Sequence, residues 1–264
     1  MKEKLIFFDI DGTLIECNLG IFSIPEETRV SLATLQNNGH SVFLATGRCK
    51  CFIVEGVYDY PFSGYVTCNG AYVEYKGKEI FKEVISKEAI LATQKLCQER
   101  KMAYYFEGNE YIYVMDRKHP SHLEFKENWG MKDEVIADDF NIDEIETYIG
   151  MIVINSKEDI EPMVKALSPY FDIQKHQSGS SFDLTLKGVS KAVGIQKLVE
   201  CLNRDIKDTI AFGDGRNDIE MLETVELGIA MGNGCQEAKE VSNYITDNIE
   251  KQGITKALQK FNLL

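Results

Sequence analysis

The sequence predicts an α/β fold with an α+β segment inserted in it, and three observations carry that prediction. Apolar runs without alternation stand near both ends of the chain, each closing on a polar loop. Helical periodicities separate them, as the crossovers of a parallel sheet require. In the middle of the chain the pattern changes to short strands joined by a tight connection, which is antiparallel grammar.

The first run, Leu5-Ile6-Phe7-Phe8, enters Asp9-Ile10-Asp11-Gly12 and reads as a strand buried on both faces that ends in a turn. Pro25 stands at the expected first helical position, Glu26 and Glu27 follow in the first turn, and Asn38-Gly39 supplies the stop. Val42 to Ala45 is the second buried strand. Near the other end, Ser190 can cap a helix carrying Ile195, Leu198, Val199 and Leu202 at helical spacing. Thr209 to Phe212 is the next strand, followed by a short helix from about Asn217, a strand around Gly228 to Met231 and a final helix.

Between these halves, Ala103 to Phe106 and Tyr111 to Met115 flank Glu107-Gly108-Asn109-Glu110 as a hairpin. Strands are expected at Met151 to Ile154, Phe171 to Lys175 and Phe182 to Leu186, and helices around Ala89 to Leu96 and Ile160 to Leu167. The inserted domain is therefore expected over 83–186, with the α/β core built from 1–82 and 187–264. The 264 residues suit two domains, each with its own core.

A formal charge of −13 disfavours a nucleic-acid backbone or an anionic membrane surface as the main partner, since both would be repelled. A small anion remains open to it, given a metal ion and a few basic residues at one place. The N-terminal apolar run is too short for a signal peptide, no stretch has the length of a membrane span, and a cytoplasmic location is expected. Seven cysteines without a Cys-x-x-Cys pair fit reduced thiols, and Cys49 and Cys51, although beside one of the polar loops, read as core thiols. His40, His119, His122 and His176 have no metal-ligand spacing and read as surface or partly packed residues. Tyr104, Tyr105, Tyr111 and Tyr113 read as sheet packing.

The chemistry collects at strand ends, where open α/β sheets bind ligands. Asp9 and Asp11 are two apart, so both carboxylates can face the same side of that edge. Gly12 permits a sharp exit, and Thr13 can turn its hydroxyl back. Read alone, Asp-Ile-Asp-Gly is also an ordinary polar turn. The second strand, however, ends in Thr46-Gly47-Arg48 and a later one in Gly213-Asp214-Gly215-Arg216-Asn217-Asp218, while Lys191 opens a helix, where lysine is electrostatically disfavoured unless it faces an anion. Hydroxyl, glycine amide, carboxylates and ammonium together make a phosphate and cation site. Taken singly, Lys191 is an ordinary helix-start lysine, Thr46 a strand-end residue, Arg48 a solvated or salt-bridged arginine, and Asn69, in Cys68-Asn69-Gly70-Ala71, a turn residue.

In this order the four signatures, Asp9 to Leu14, Thr46 to Arg48, Lys191, and Gly213-Asp214 with Asn217-Asp218, resemble the haloacid dehalogenase-like superfamily, in particular the Cof-type sugar-phosphate phosphatases with a type IIB cap. The resemblance runs over essentially the whole chain and implies a Rossmann-like core with the insert as cap. It implies that Asp9 attacks phosphorus to form an aspartyl-phosphate, and that Asp11 serves as general acid and then base. Thr46 and Lys191 would hold the phosphoryl group, with Gly47, Arg48 and Asn69 toward the substrate. Magnesium would be held by Asp9, the backbone carbonyl of Asp11 and Asp214, with Asn217 and Asp218 orienting that shell. The physical need for cations is independent of the name: at an effective dielectric near 20 each like-charge pair at about 4 Å costs roughly 4 kcal/mol, so a phosphate cannot sit among three carboxylates unaided.

A small phosphorylated metabolite is thus the expected partner, with a site between core and cap; oligomeric state is not legible. The rivals are a hexose-phosphate mutase or phosphotransferase using the same aspartyl-phosphate, and a non-catalytic binding protein of the same fold. The family's late loop often has an acidic residue before glycine, where this chain reads Lys251-Gln252-Gly253.

Overall fold

The computed structural model describes residues 2–129, 131–175 and 179–264, and within them the chain divides into two compact units. The first comprises 1–48, 53–82 and 190–264; the second comprises 49–52 and 83–189. His176 lies outside the described residues.

In the first unit β1 (Leu5–Phe8), α1 (Glu26–Asn37), β2 (Ser41–Ala45), α2 (Glu55–Tyr58), β3 (Gly64–Thr67), β4 (Tyr72–Tyr75) and β5 (Lys78–Lys82) follow in sequence. The second unit contributes α3 (Lys87–Arg100), β6 (Ala103–Glu107), β7 (Ile112–Val114), α4 (Pro120–Trp129), β8 (Ile136–Ala137), β9 (Ile149–Val153), α5 (Ile160–Leu167), β10 (Phe171–Lys175) and β11 (Ser181–Leu186). The chain returns to the first unit with α6 (Lys191–Cys201), β12 (Thr209–Gly213), α7 (Ile219–Thr224), β13 (Leu227–Ala230), α8 (Gln236–Val241), β14 (Tyr244–Ile245) and α9 (Gly253–Lys260).

The first unit's sheet has the order β14-β13-β12-β1-β2-β3-β4-β5. It is parallel from β14 to β3, and β4 and β5 add antiparallel at one edge. The strands read as buried on both faces are so: Ile6, Phe8, Val42 and Leu44 pack with α1 and α9, while Leu5, Phe7, Phe43 and Ala45 pack with α6, α7 and α8. Each fully buried side chain of this size contributes about 1.5–3 kcal/mol of apolar burial. Ring stacking reinforces the centre, Phe7 on Phe43 at 5.0 Å and Phe8 on Phe212 at 4.8 Å. The sheet and its two helical layers form a Rossmann-like α/β unit, as expected.

The second unit is a sheet of order β10-β11-β9-β6-β7-β8, antiparallel but for the β7–β8 pair, with α3 and α5 over one face. It is the α+β segment the sequence predicts. Among the described residues no helix is long and apolar enough to cross a membrane.

The structure differs from the sequence reading in several places. Pro25 is the N-cap of α1 rather than its first residue, with Asn38 at the C-cap and Gly39 at φ +85° beyond it. The hairpin connection is 108–111, because Glu107 pairs with Ile112 inside the ladder. Strands β3 to β5 and helix α4 were not foreseen: β3 and β5 carry only intermittent apolar residues, and α4 has a weak apolar stripe. Tyr111 is exposed rather than packed. His40 and His122 are buried, not at the surface; His40 Nδ1 accepts the Lys4 amide at 3.0 Å, and burial lowers the pKa of both imidazoles.

Candidate active site

Four neighbouring strands, β12, β1, β2 and β3, release their carboxyl ends side by side, and the predicted residues emerge there. Asp9 follows β1 and stays in register with the sheet, its amide donating to the Phe212 carbonyl at 3.0 Å. It is buried. Ile10 points into the core, so Asp11 projects away from it with its side chain 48% exposed.

Gly12 is needed where it stands. Its φ is +82°, and a Cβ there would lie 2.2 Å from Asp214 Oδ2. The contact lets the first loop close on the one after β12, and Thr13 Oγ1 donates to Asp214 Oδ1 at 3.1 Å. Gly12→Ala is therefore expected to displace the Asp214 carboxylate. Backbone strain costs about 1–3 kcal/mol, and misplacement by an ångström lowers turnover about 10²-fold. Melting temperature and turnover read these separately; an alanine variant with wild-type turnover would show that Asp214 moves without consequence.

Lys191 opens α6 under the Ser190 cap, whose hydroxyl accepts the Val193 amide. Its ammonium is fully buried and donates to Asp9 Oδ1 and Asp218 Oδ1, both at 2.6 Å. The other oxygen of Asp218 accepts the amides of Asp214 and Gly215, each at 2.9 Å. Asp218 thus ties the helix start to the loop after β12, and its lone pairs are committed to that task. Burial alone would discharge Lys191, but Asp218 and Asp9 outweigh it and raise its pKa.

The carboxylates respond oppositely. Burial pushes the Asp9 carboxyl well above the usual range, and Asp218, Asp214 and Asp11 add to this against the pull of Lys191. Asp214 is pushed up to about 7, by burial first and then by Asp218. Ligand atoms of Asp9, Asp214 and Asp218 lie within 4.8 Å of one another. One ammonium among three carboxylates leaves negative charge uncompensated, and an all-oxygen donor set short of positive charge fits a hard dication.

Asp11 and Arg48 form a second pair. The guanidinium donates bidentately, Nε to Oδ2 at 2.8 Å and Nη2 to Oδ1 at 2.7 Å, and Arg48 is itself 7% exposed. Of the two readings open for Arg48, salt bridge and substrate contact, this geometry is the salt bridge, made to the candidate acid itself. Thr46 is buried and its hydroxyl accepts the Arg48 amide at 3.1 Å. Asn69 is held at φ +52° between Cys68 at +53° and Gly70 at +94°. Its Oδ1 accepts from Asn217 Nδ2 at 3.2 Å, and a Cβ on Gly47 would come within 3.1 Å of that oxygen. A Cβ on Gly70 would lie 2.0 Å from the Ser190 carbonyl, so this loop buttresses the residue before Lys191.

Every site residue expected from the sequence therefore lies in the first unit. One contributor had no signal: Asn233 Nδ2 donates to the Gly12 carbonyl at 2.7 Å while its Oδ1 accepts the Ile249 amide. Only the Asn-Gly pair at 233–234 marks a turn there. The Lys251-Gln252-Gly253 loop has Gln252 at φ +61° and packs Gly253 against the Asp247 carbonyl.

Residues 6–258 match the family model of the haloacid dehalogenase-like hydrolases. The chain is 33% identical over 268 residues to YkrA of Bacillus subtilis, covering all of both proteins. It is 25% identical over 281 residues to the 5-amino-6-(5-phospho-D-ribitylamino)uracil phosphatase YitU of the same organism, covering 98% of each. Among solved structures it superposes on the subclass IIB sugar phosphatase BT4131 with a TM-score of 0.84, at 27% identity over 99% of this chain and 100% of that one. The chain belongs to the haloacid dehalogenase-like hydrolase family, and with these relatives it is a phosphoric monoester hydrolase. Within that family it is a phosphatase of the Cof type.

Proposed function

We propose that the protein is a magnesium-dependent phosphatase of small phosphorylated metabolites, sugar phosphates first, acting through an aspartyl-phosphate on Asp9. The observation that carries this reading is the Lys191 ammonium fixed at 2.6 Å from both Asp9 and Asp218 inside an acidic, desolvated cluster. A nucleophilic carboxylate is held in one orientation there, with a cation beside the place where phosphate charge must be received.

Asp9 and Asp214, with the Asp11 carbonyl, would hold the magnesium ion. When bound, the ion supplies positive charge to the phosphate oxygens and keeps both carboxylates ionised. Asp9 attacks phosphorus with the carboxylate oxygen not engaged by Lys191. Lys191 and Thr46 hold the transferring group, and Asp11 gives its proton to the leaving oxygen and later takes one from water. Arg48 orients the Asp11 carboxylate between these two roles. Asn69 steadies Asn217, and Asp218 steadies Lys191 and the loop of Asp214. Selection among leaving groups is assigned to the second unit as cap, and the sugar-phosphate preference rests on the likeness to BT4131.

Phosphate release from a panel of sugar phosphates and other small phosphomonoesters, with magnesium and with EDTA, tests the reading. Magnesium-dependent release is the expected result. Turnover that survives chelation would remove the metal assignment, and release that demands a bisphosphate activator would make the enzyme a mutase.

A stability measurement tests the cation site without substrate. Asp214, raised in the folded state to about 7 from an ordinary 3.8, keeps its proton after the unfolded chain has lost its own. Its contribution to stability is therefore present below pH 3.8 and is lost as pH rises through about 7. In EDTA the melting temperature should fall across that window, and magnesium should flatten the fall while binding more tightly as pH rises. A melting profile that magnesium leaves unchanged at pH 8 would contradict the site.

A further inference from the structure

Cys49 and Cys51 are in contact, their Sγ atoms 3.4 Å apart. The geometry is local: residues 50–52 make a single 3-10 turn, closed by the Phe52 amide on the Cys49 carbonyl at 3.0 Å, which brings the two side chains together. Cys49 is buried and Cys51 is the more exposed residue of the two, its Sγ also donating to the Gly108 carbonyl at 3.5 Å, so a small reagent meets Cys51 first. Nothing in the proposed phosphoryl transfer uses either thiol.

Arg48 directly precedes this pair and is held at three points. Its amide donates to Thr46 Oγ1, its carbonyl accepts from Cys68, and its guanidinium grips Asp11 through two nitrogens. Joining the two sulfurs shortens their separation from 3.4 Å to about 2.05 Å and restricts the backbone between residues 49 and 51. The torsions that absorb the change adjoin Arg48. A shift passed along the chain to Arg48 moves the guanidinium that holds both oxygens of Asp11.

We propose that Cys49 and Cys51 are an oxidative modification site, closing to an intrachain disulfide that lowers turnover by displacing Arg48 from Asp11. With hydrogen peroxide as oxidant, the Cys51 thiol becomes a sulfenic acid as the O–O bond breaks and one water leaves. The Cys49 sulfur then attacks the Cys51 sulfur; the S–S bond forms, the S–O bond breaks, and a second water departs with the thiol proton. Two thiols and one peroxide give one disulfide and two waters. A disulfide spanning a single intervening residue closes a small, strained ring, and strained disulfides are the readily reduced ones, so the modification reverses with a thiol reductant. Cys17 is a poorer candidate: it is exposed, but desolvation and the neighbouring Asp11 push its thiol up and withhold the thiolate.

The bond is independent of the phosphatase reading, and its effect on turnover rests on that reading. The test uses the full-length reduced protein, titrated with hydrogen peroxide, quenched with N-ethylmaleimide and mapped by peptide mass, with turnover followed in parallel. In the expected result Cys49 and Cys51 lose two hydrogens and escape labelling together, turnover falls by about tenfold to a hundredfold, and dithiothreitol restores both. Cys51→Ser keeps the activity of the reduced enzyme and loses the peroxide response. Labelling of both thiols after Cys201, an exposed free thiol, has already been oxidised overturns the site. A mapped disulfide with unchanged turnover, or Cys51→Ser inactivated like wild type, overturns its control of activity. Absence of turnover before any oxidant is added fails the phosphatase reading alone, and the mass map still decides the bond.

Discussion

Asp9→Asn is expected to fold as well as wild type and to lose at least about 10⁴-fold in turnover. The amide matches the carboxylate in shape and removes the proposed nucleophile. The fold should not suffer, because burial and three neighbouring carboxylates already press Asp9 toward its neutral form. A neutral side chain relieves that pressure, and Lys191 keeps Asp218 as counter-ion. Without magnesium above pH 7 the variant should melt at or above the wild-type temperature. Phosphate release and melting curves on the same preparation check both halves. Residual turnover within tenfold of wild type would exclude covalent transfer through Asp9, whereas a variant that fails to fold would mean that the carboxylate is structural.

Lys191→Met should have the largest effect on stability. The side chain is fully buried and its ammonium is hydrogen-bonded to Asp9 and to Asp218, so truncation leaves two buried carboxylates facing each other. Breaking a buried pair by removing one partner costs about 3–5 kcal/mol, because the remaining charge stays desolvated. Turnover should also fall about 10²- to 10³-fold through loss of a cation at the phosphoryl group. Denaturant unfolding in EDTA measures the first effect. Adding Asp218→Asn should recover part of the stability and none of the turnover, which separates the two roles of the ammonium. A single variant within 1 kcal/mol of wild type would show that the buried triad is not coupled as its geometry implies.

Much of this site was legible because its chemistry is local. A strand buried on both faces can end in Asp9-Ile10-Asp11-Gly12 only if the carboxylates leave at the sheet's edge, and Gly12 declares the turn whatever folds around it. The same holds for Thr46 to Arg48 and for Asp214, each placed by the end of its own strand. Lys191 was visible as a lysine at a helix start, where its charge is unwelcome without an anion. The parallel core followed from unalternating apolar runs, and the inserted unit from a change of grammar.

Contacts between segments far apart in the chain were not legible, because composition and spacing carry no distance. That Asp218 has one oxygen on Lys191 and the other on two loop amides, that Arg48 grips Asp11, and that Asn233 reaches the Gly12 carbonyl are facts of how β12, β1, β2 and β3 lie side by side. The contact of Cys49 with Cys51 depends on a single 3-10 turn that no periodicity announces. Strands β3 to β5 escaped because each mixes apolar with polar or glycine residues over only four or five positions, and β5, the one of the three at the sheet's edge, has no buried residue. The sequence by itself determined which candidate groups, Asn233 apart, stand at the strand ends and at the start of α6, since strand burial, capping and turn chemistry are written in neighbouring residues. The tertiary structure alone decided which carboxylate meets which cation, because that pairing is made by desolvation and by distances of a few ångströms across the sheet.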